Sequence, residues 1–242
     1  SNLTNVSFFP RNSIQVLSFT LLVFVSSTLH SQEKNISSNQ DSIEYKNLLN
    51  TGNSFYKDKR YNAALEQYTQ SLKYLSRDDK ETIKHLGIIY TKIAQTYKRL
   101  KDRKKTSHFY KKSLDIFTRL NNKKYMARTL NTLAEAERYL NNLAVALDYS
   151  TQSLELHKTI NDPKGYAKAL TGAGIIYRHI GRYEKSLIHI RQAYEYYKKI
   201  NDYSAIAKTA NEIANIYIHL EQFDQARLFF EETIKLPEEK LA

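Results

Sequence analysis

The sequence has no cysteine, which excludes disulfides, thiolate metal sites and cysteine nucleophiles, and leaves the redox compartment unreadable from cysteine usage. Three prolines and six glycines in 242 residues are too few for a turn-rich β fold and fit long helices. Acids are in deficit: 25 Asp and Glu against 37 Lys and Arg give a formal net charge of +12. That balance favours an acidic partner, nucleic acid or an anionic membrane surface, although Lys and Arg also coat the outer faces of ordinary helices. Catalytic signatures are missing too. There is no HExxH, no GxSxG and no glycine-rich phosphate loop after a strand. The chain therefore reads as non-enzymatic and without a cofactor. Seven histidines are scattered, and only His179 and His219 share a position in the repeating pattern of the chain. They could stack one repeat apart, but a metal site needs more ligands, so no metal is expected.

Long apolar runs are scarce, with one exception. Ile14 to Leu29 (IQVLSFTLLVFVSSTL) is apolar and β-branched, yet shorter than the ~20 residues of a membrane span. Arg11 precedes it, and Val25-Ser26-Ser27 and Leu29-His30-Ser31 offer small-residue cleavage contexts. Residues 1–31 thus read as a secretory signal peptide, followed by a polar, flexible leader over 32–42. The alternative is an extra N-terminal helix or strand packed on the rest. Export would place the chain in the periplasm or at the membrane of a bacterium; a cytoplasmic location is the alternative.

The remainder is one unit written repeatedly, most clearly from Ala127 to Lys158 (ARTLNTLAEAERYLNNLAVALDYSTQSLELHK). It returns as AKALTGAGIIYRHIGRYEKSLIHIRQAYEYYK and again as AKTANEIANIYIHLEQFDQARLFFEETIK. Aligning the first small residue of each unit gives Gly52, Ala94, Ala134, Gly174 and Ala214, with steps of 42, 40, 40 and 40 residues. In the same register stand Ala64, Thr106, Ala146, Ser186 and Ala226, then Tyr68, Tyr110, Ser150, Ile190 and Phe230. A fixed period of this size means stacked repeats. The small residues let paired helices approach, and the large ones fill the gap between neighbouring units. Asn121-Asn122, Asn161-Asp162 and Asn201-Asp202 mark the breaks, with Asp162 and Asp202 as N-caps and Pro163 at a first helical position. The spacing predicts helix pairs at 43–58/61–75, 79–100/103–120, 122–140/143–160, 163–180/183–200 and 203–220/223–236. The repeats then occupy 43–76, 79–120, 122–160, 163–200 and 203–236, with a tail over 237–242. Phe229, Phe230 and Ile234 are expected near an open end, where the chain would self-associate or continue as a longer protein.

The pattern resembles the tetratricopeptide repeat in a longer, 40-residue form. Gly52-Asn53-Ser54-Phe55-Tyr56, Tyr61-Asn62-Ala63-Ala64-Leu65 and Tyr68 carry the likeness in the first unit. Leu130-Asn131-Thr132-Leu133-Ala134 is similar to the repeats of kinesin light chains and of bacterial peptide-responsive regulators. Arg103 and Thr106 in the second unit, and Glu137 and Ser150 in the third, depart from the usual aromatic or alanine. The resemblance implies an all-α fold, a right-handed α-solenoid of about five antiparallel helix pairs.

It also implies a concave groove lined by positions two, five, nine, twelve and thirteen of each first helix. These are Lys46, Leu49, Asn53, Tyr56 and Lys57 in the first unit, then Ile88, Thr91, Gln95, Lys98 and Arg99. Next come Arg128, Asn131, Glu135, Arg138 and Tyr139, then Lys168, Thr171, Ile175, Arg178 and His179, and last Lys208, Asn211, Asn215, Ile218 and His219. Basic residues dominate, Glu135 is the single acid, and Thr91, Asn131, Thr171 and Asn211 recur at position five. Side-chain amides and hydroxyls can satisfy an extended peptide backbone, and Arg recognises carboxylates. The expectation is a scaffold or sensor module that binds a protein or an acidic peptide, against the plainer reading of a solvated polar face. The family's lysine at position five is absent, which argues against chaperone-tail binding. A second reading is the input region of a bacterial regulator such as a histidine kinase or helix-turn-helix protein. Nucleic-acid binding is weaker, because Tyr97, Tyr177, Tyr183 and Tyr217 fall at packing positions.

Overall fold

The computed structural model describes residues 40–75 and 80–235. The expected signal peptide, most of the leader and the tail lie outside the described residues. All regular structure among those residues is helical. Helix α1 covers 40–57, so it is already present within the stretch expected as leader. It is followed by α2 (Tyr61–Ser71), which tightens into a 3₁₀ turn at Leu72–Tyr74. Then come α3 (Lys80–Arg99), α4 (Arg103–Arg119), α5 (Lys123–Tyr139), α6 (Leu143–Thr159), α7 (Pro163–His179), α8 (Tyr183–Lys199), α9 (Tyr203–His219) and α10 (Phe223–Ile234). Among the described residues no helix is long and apolar enough to cross a membrane.

The strict period comes from the turns. Lys101, Asn121, Asn141, Asn161, Gly181, Asn201 and Glu221 all have positive φ and succeed one another at 20-residue steps. Each stands just past a helix end and lets the chain close a double hydrogen-bonded cap. In the middle repeat, Asn141 N–H donates to Arg138 O at 3.0 Å and Asn142 N–H to Glu137 O at 2.9 Å. Four of these seven residues are Asn, whose short polar side chain tolerates the left-handed region. The next helix starts at once. Asp102, Asn122, Asp162 and Asp202 accept from the backbone N–H three residues on, and Pro163 takes the first helical position.

Consecutive helices pack on one another along the whole array. First helices also touch across repeats, α5 on α7 and α7 on α9, more closely than second helices do. The array therefore bends with α3, α5, α7 and α9 on its inner side. The small residues do what close approach requires: Ala94, Ala134, Gly174 and Ala214 are buried against the second helices. A Cβ on Gly174 would lie 2.3 Å from Ile190 Cγ1. Ser186 replaces alanine on the facing helix because its hydroxyl donates to Gly174 O at 2.6 Å. Leu130, Leu133, Ile176, Ile190, Ile213 and Ile216 fill the interior, each stabilising the fold by about 1.5–3 kcal/mol.

The departures from the usual pattern are coupled to one another. Glu137 sits where an aromatic ring is common and its residue exposure is 2%. Its carboxylate accepts from Ser107 Oγ at 2.6 Å and Asn142 Nδ2 at 2.7 Å, and pairs with Lys111 Nζ at 2.7 Å. Phe229 and Phe230 are not left open at the end, as the spacing suggested. Both pack on the last core cluster, and the exposed apolar residues of α10 are Phe223, Leu228 and Ile234.

Candidate functional site

The inner face carries a continuous groove. One depression of about 630 Å³ is lined by Ile88, Thr91, Gln95, Arg128, Asn131 and Lys168, with Lys92, Tyr110, Tyr125 and Tyr197 among its walls. A second, of about 350 Å³, is lined by Glu135, Arg138, Tyr139, Thr171, Ile175, Arg178 and Lys208. The two share Asn131, Lys168, Tyr197 and Ala205 and so run into each other. Lys98, Glu135 and Tyr139 face a third hollow of about 310 Å³ beside Arg103.

Eleven of the expected residues line none of these hollows: Lys46, Leu49, Asn53, Tyr56, Lys57, Arg99, His179, Asn211, Asn215, Ile218 and His219. Asn53 accepts from Tyr68 OH at 3.0 Å, and Tyr56 OH accepts from Arg99 Nε at 3.2 Å. His179 and His219 do not stack on each other. His179 Nε2 takes Arg138 Nη1 at 3.2 Å, whereas His219 stacks on the Tyr183 ring at 5.0 Å between centroids. Among the described residues there is no cluster of three or more His, Cys, Asp or Glu able to hold a metal.

The groove is less uniformly basic than the sequence suggested, because Glu212 joins Glu135 in it and Asp162 and Asp202 line the larger depression. Lys98 Nζ pairs with Glu135 Oε2 at 2.5 Å, and Arg178 Nη2 with Glu212 Oε2 at 3.3 Å. Arg178 Nε is buried without a hydrogen-bond partner. Arg138 lies over the Tyr139 ring at 4.1 Å, with Arg103 also at 5.0 Å from that ring. One row of missed positions falls one residue beyond position five, at Lys92, Thr132, Gly172 and Glu212, while others, such as Tyr125, His157, Asp162 and Asp202, come from helix starts and second helices. The 40-residue steps of that row were visible in the alignment of the repeats. The position-five ladder is split. Thr91 Oγ1 is held by Gly87 O and Ser113 Oγ, and Thr171 Oγ1 donates to Ala167 O. Asn131 and Asn211 make no such bond among the described residues.

Four cations stand apart. Lys92, Arg128, Lys168 and Lys208 have neither a carboxylate nor a side-chain hydrogen-bond partner among the described residues, and all but Lys208 line the larger depression. The pKa of Lys168 is held down first by the protein atoms crowding its ammonium, although its surface remains open to solvent, and then by Lys98, Lys208 and Arg128 against the pull of Glu135. Lys92 is lowered by the same crowding and by Lys57. At the rim, His157 is buried with Nδ1 3.1 Å from Asp162 Oδ2, while Asp162 Oδ1 caps α7 through Gly165 N–H at 2.9 Å. Nothing in this arrangement pairs a nucleophile with a general base at a reacting site. What it offers is unneutralised positive charge, free amides and aromatic walls.

The sequence model of the tetratricopeptide repeat matches residues 85–159 and 165–239. No curated protein matches the chain. Among solved structures, BtubC (BKLC) from P. vanneervenii is 17% identical, with a TM-score of 0.68 over 94% of this chain and 91% of that one. The Rap conjugation gene regulator of plasmid pLS20, in complex with the Phr* peptide, is 17% identical, with a TM-score of 0.63 over 82% of this chain and 54% of that one. The STAND signal-transduction ATPase PH0952 from Pyrococcus horikoshii, with its tetratricopeptide repeat sensor, is 21% identical, with a TM-score of 0.65 over 77% of this chain and 28% of that one. The chain thus spans about half the length of the Rap regulator and under a third of the ATPase, and at these identities the likeness is one of fold. With the family match covering more than half of the sequence and the helix pairs stacked as that repeat requires, the chain belongs to the tetratricopeptide repeat family.

Proposed function

We propose that the chain is a non-enzymatic binding module whose inner groove takes an acidic peptide segment of a partner protein. The observation that carries this reading is the set of cations without a partner inside the fold: Lys92, Arg128, Lys168 and Lys208. Like charges held together on a partly dehydrated surface repel, and an anionic ligand relieves that repulsion. The Rap regulator's Phr* peptide is consistent with a peptide as ligand. A second reading, the sensor part of a signal-transduction protein, draws on the tetratricopeptide repeat sensor of the Pyrococcus ATPase; the two differ in the consequence of binding, not in the groove. The reading includes export, through residues 1–31 as a signal peptide, and self-association through Phe223, Leu228 and Ile234, which are 64%, 53% and 81% exposed.

The test uses the cations that the fold leaves free. Arg138 and Arg178 are already engaged by His179 and Glu212, so reversing them would disturb internal contacts. Arg128→Glu and Lys168→Glu break no ion pair. Each is expected to weaken binding of a Glu-rich peptide by about tenfold, the size of one groove charge contact worth about 1.4 kcal/mol. Unchanged affinity in both, with the fold intact by circular dichroism, would overturn the acidic-ligand reading.

A further inference from the structure

Arg128, Lys168 and Lys208 stand 40 residues apart and each is the sixth residue of its helix, in α5, α7 and α9. Equivalent places on stacked repeats form a row, one cation per repeat, along the groove. In α3 the matching place holds Ile88, and Lys92 one turn on supplies the charge. The pitch of the row is the separation of neighbouring first helices. These touch, α5 on α7 and α7 on α9, and touching helices lie about 8–10 Å apart.

A ligand that meets every cation must present an acid at that same pitch on one face. A β-strand returns a side chain to one face after two residues, or about 6.6 Å, and again at about 13 Å; both miss. A polyproline II segment rises about 3.1 Å per residue with three residues per turn, so every third side chain faces the same way after about 9.3 Å. An α-helix repeats a face after seven residues, about 10.5 Å, but its backbone groups are satisfied internally. The groove argues for a backbone that is not. Asn131 and Gln95 offer amides with no bond to any described residue, and a polyproline II backbone leaves its N–H and C=O groups free. Such segments also dock against aromatic walls, and Tyr125 lines the larger depression half-buried.

We infer that the groove selects a polyproline II segment carrying an acidic side chain at every third residue, read by the row of Arg128, Lys168 and Lys208. This rests on the acidic-peptide reading and narrows it to a register.

Four fluorescein-labelled peptides, each with three Glu and brought to equal length with uncharged flanks, separate the cases on the full chain at fixed low salt. One is a Glu-Pro-Pro repeat. The others have Glu at every second residue, Glu in one block within prolines, and a helix-forming peptide with Glu every seventh residue. The every-third peptide is expected to bind at least tenfold more tightly than the rest. Lys168→Ala, which removes the middle cation, is expected to erase most of that advantage. Equal affinity for all four overturns the register while leaving an acidic groove standing. Preference for the helical or the alternating peptide overturns it too, in favour of that backbone. Binding by none defeats both this inference and the reading it rests on.

Discussion

Ser107 on α4 and Glu137 on α5 meet in the interior: the serine hydroxyl donates to Glu137 Oε1 at 2.6 Å. The pair joins the second repeat to the third where neighbouring repeats normally meet through an aromatic ring. Burial alone would raise the pKa of Glu137, but its bonds to Lys111, Ser107 and Asn142 together hold it below the ordinary carboxylate value. Glu137→Ala is expected to cost roughly 2–3 kcal/mol in urea unfolding, since it strands the Ser107 and Asn142 donors. Ser107→Ala should cost about 1 kcal/mol, with a measurable coupling between the two in a double-mutant cycle. Because the native pKa is the lower one, this contribution is present above about pH 4.5 and is lost as pH falls through the native value.

Ser150 makes the opposite case. Its residue is fully buried and its hydroxyl has no hydrogen-bond partner. Ser150→Ala should be neutral or stabilising by up to about 1 kcal/mol, because it removes an unmet polar group from the interior. A rise in thermal midpoint checks this, and a clear fall would mean that the hydroxyl is satisfied.

Turn and packing residues separate cleanly by substitution. Asn141 has φ +64°, so Asn141→Ala should destabilise by about 1–2 kcal/mol while Asn141→Gly should not. Gly174→Ala forces a Cβ against Ile190 and should cost about 1–3 kcal/mol through overpacking. Denaturant midpoints at constant slope report both.

Acidification gives a third readout. Burial is the main cause holding His157 below the ordinary histidine pKa of 6.5; Arg128 and Lys168 add to it and Asp162 opposes it. His179, whose residue is open to solvent, is lowered by the protein atoms crowding its ring and by Arg138 and Arg178, with Glu212 opposing. The unfolded chain takes up these protons near pH 6.5 and the native chain only at lower pH. Stability is therefore full above pH 6.5 and declines as pH falls from there through the native pKa values. His157→Gln should flatten the decline in unfolding free energy between about pH 7.5 and 5.5. An unchanged slope would assign it to other groups.

Much of the architecture is legible along the chain. The small residues at Ala94, Ala134, Gly174 and Ala214, the Asn turns and the Asp caps act through neighbours a few residues away or through a fixed 40-residue step, and both kinds of regularity are written linearly. The observed helix ends fall within a few residues of those read from the spacing. The rows of inner-face positions arise from the same step, including the row one residue beyond position five.

Charge state along the groove is different. Lys98 finds Glu135 37 residues on, and Arg138 finds His179 41 residues on. Arg178 reaches Glu212. The separations are close to one repeat but not equal to it, because each side chain leans along its helix before it crosses to the next. A register can name which residues face inward; it cannot say which long side chains engage one another. Folding assigns partners to Lys98, Arg138 and Arg178 and leaves Lys92, Arg128, Lys168 and Lys208 without one. Coulomb attraction acts on distances between charged atoms, and those distances exist only once the helices are packed.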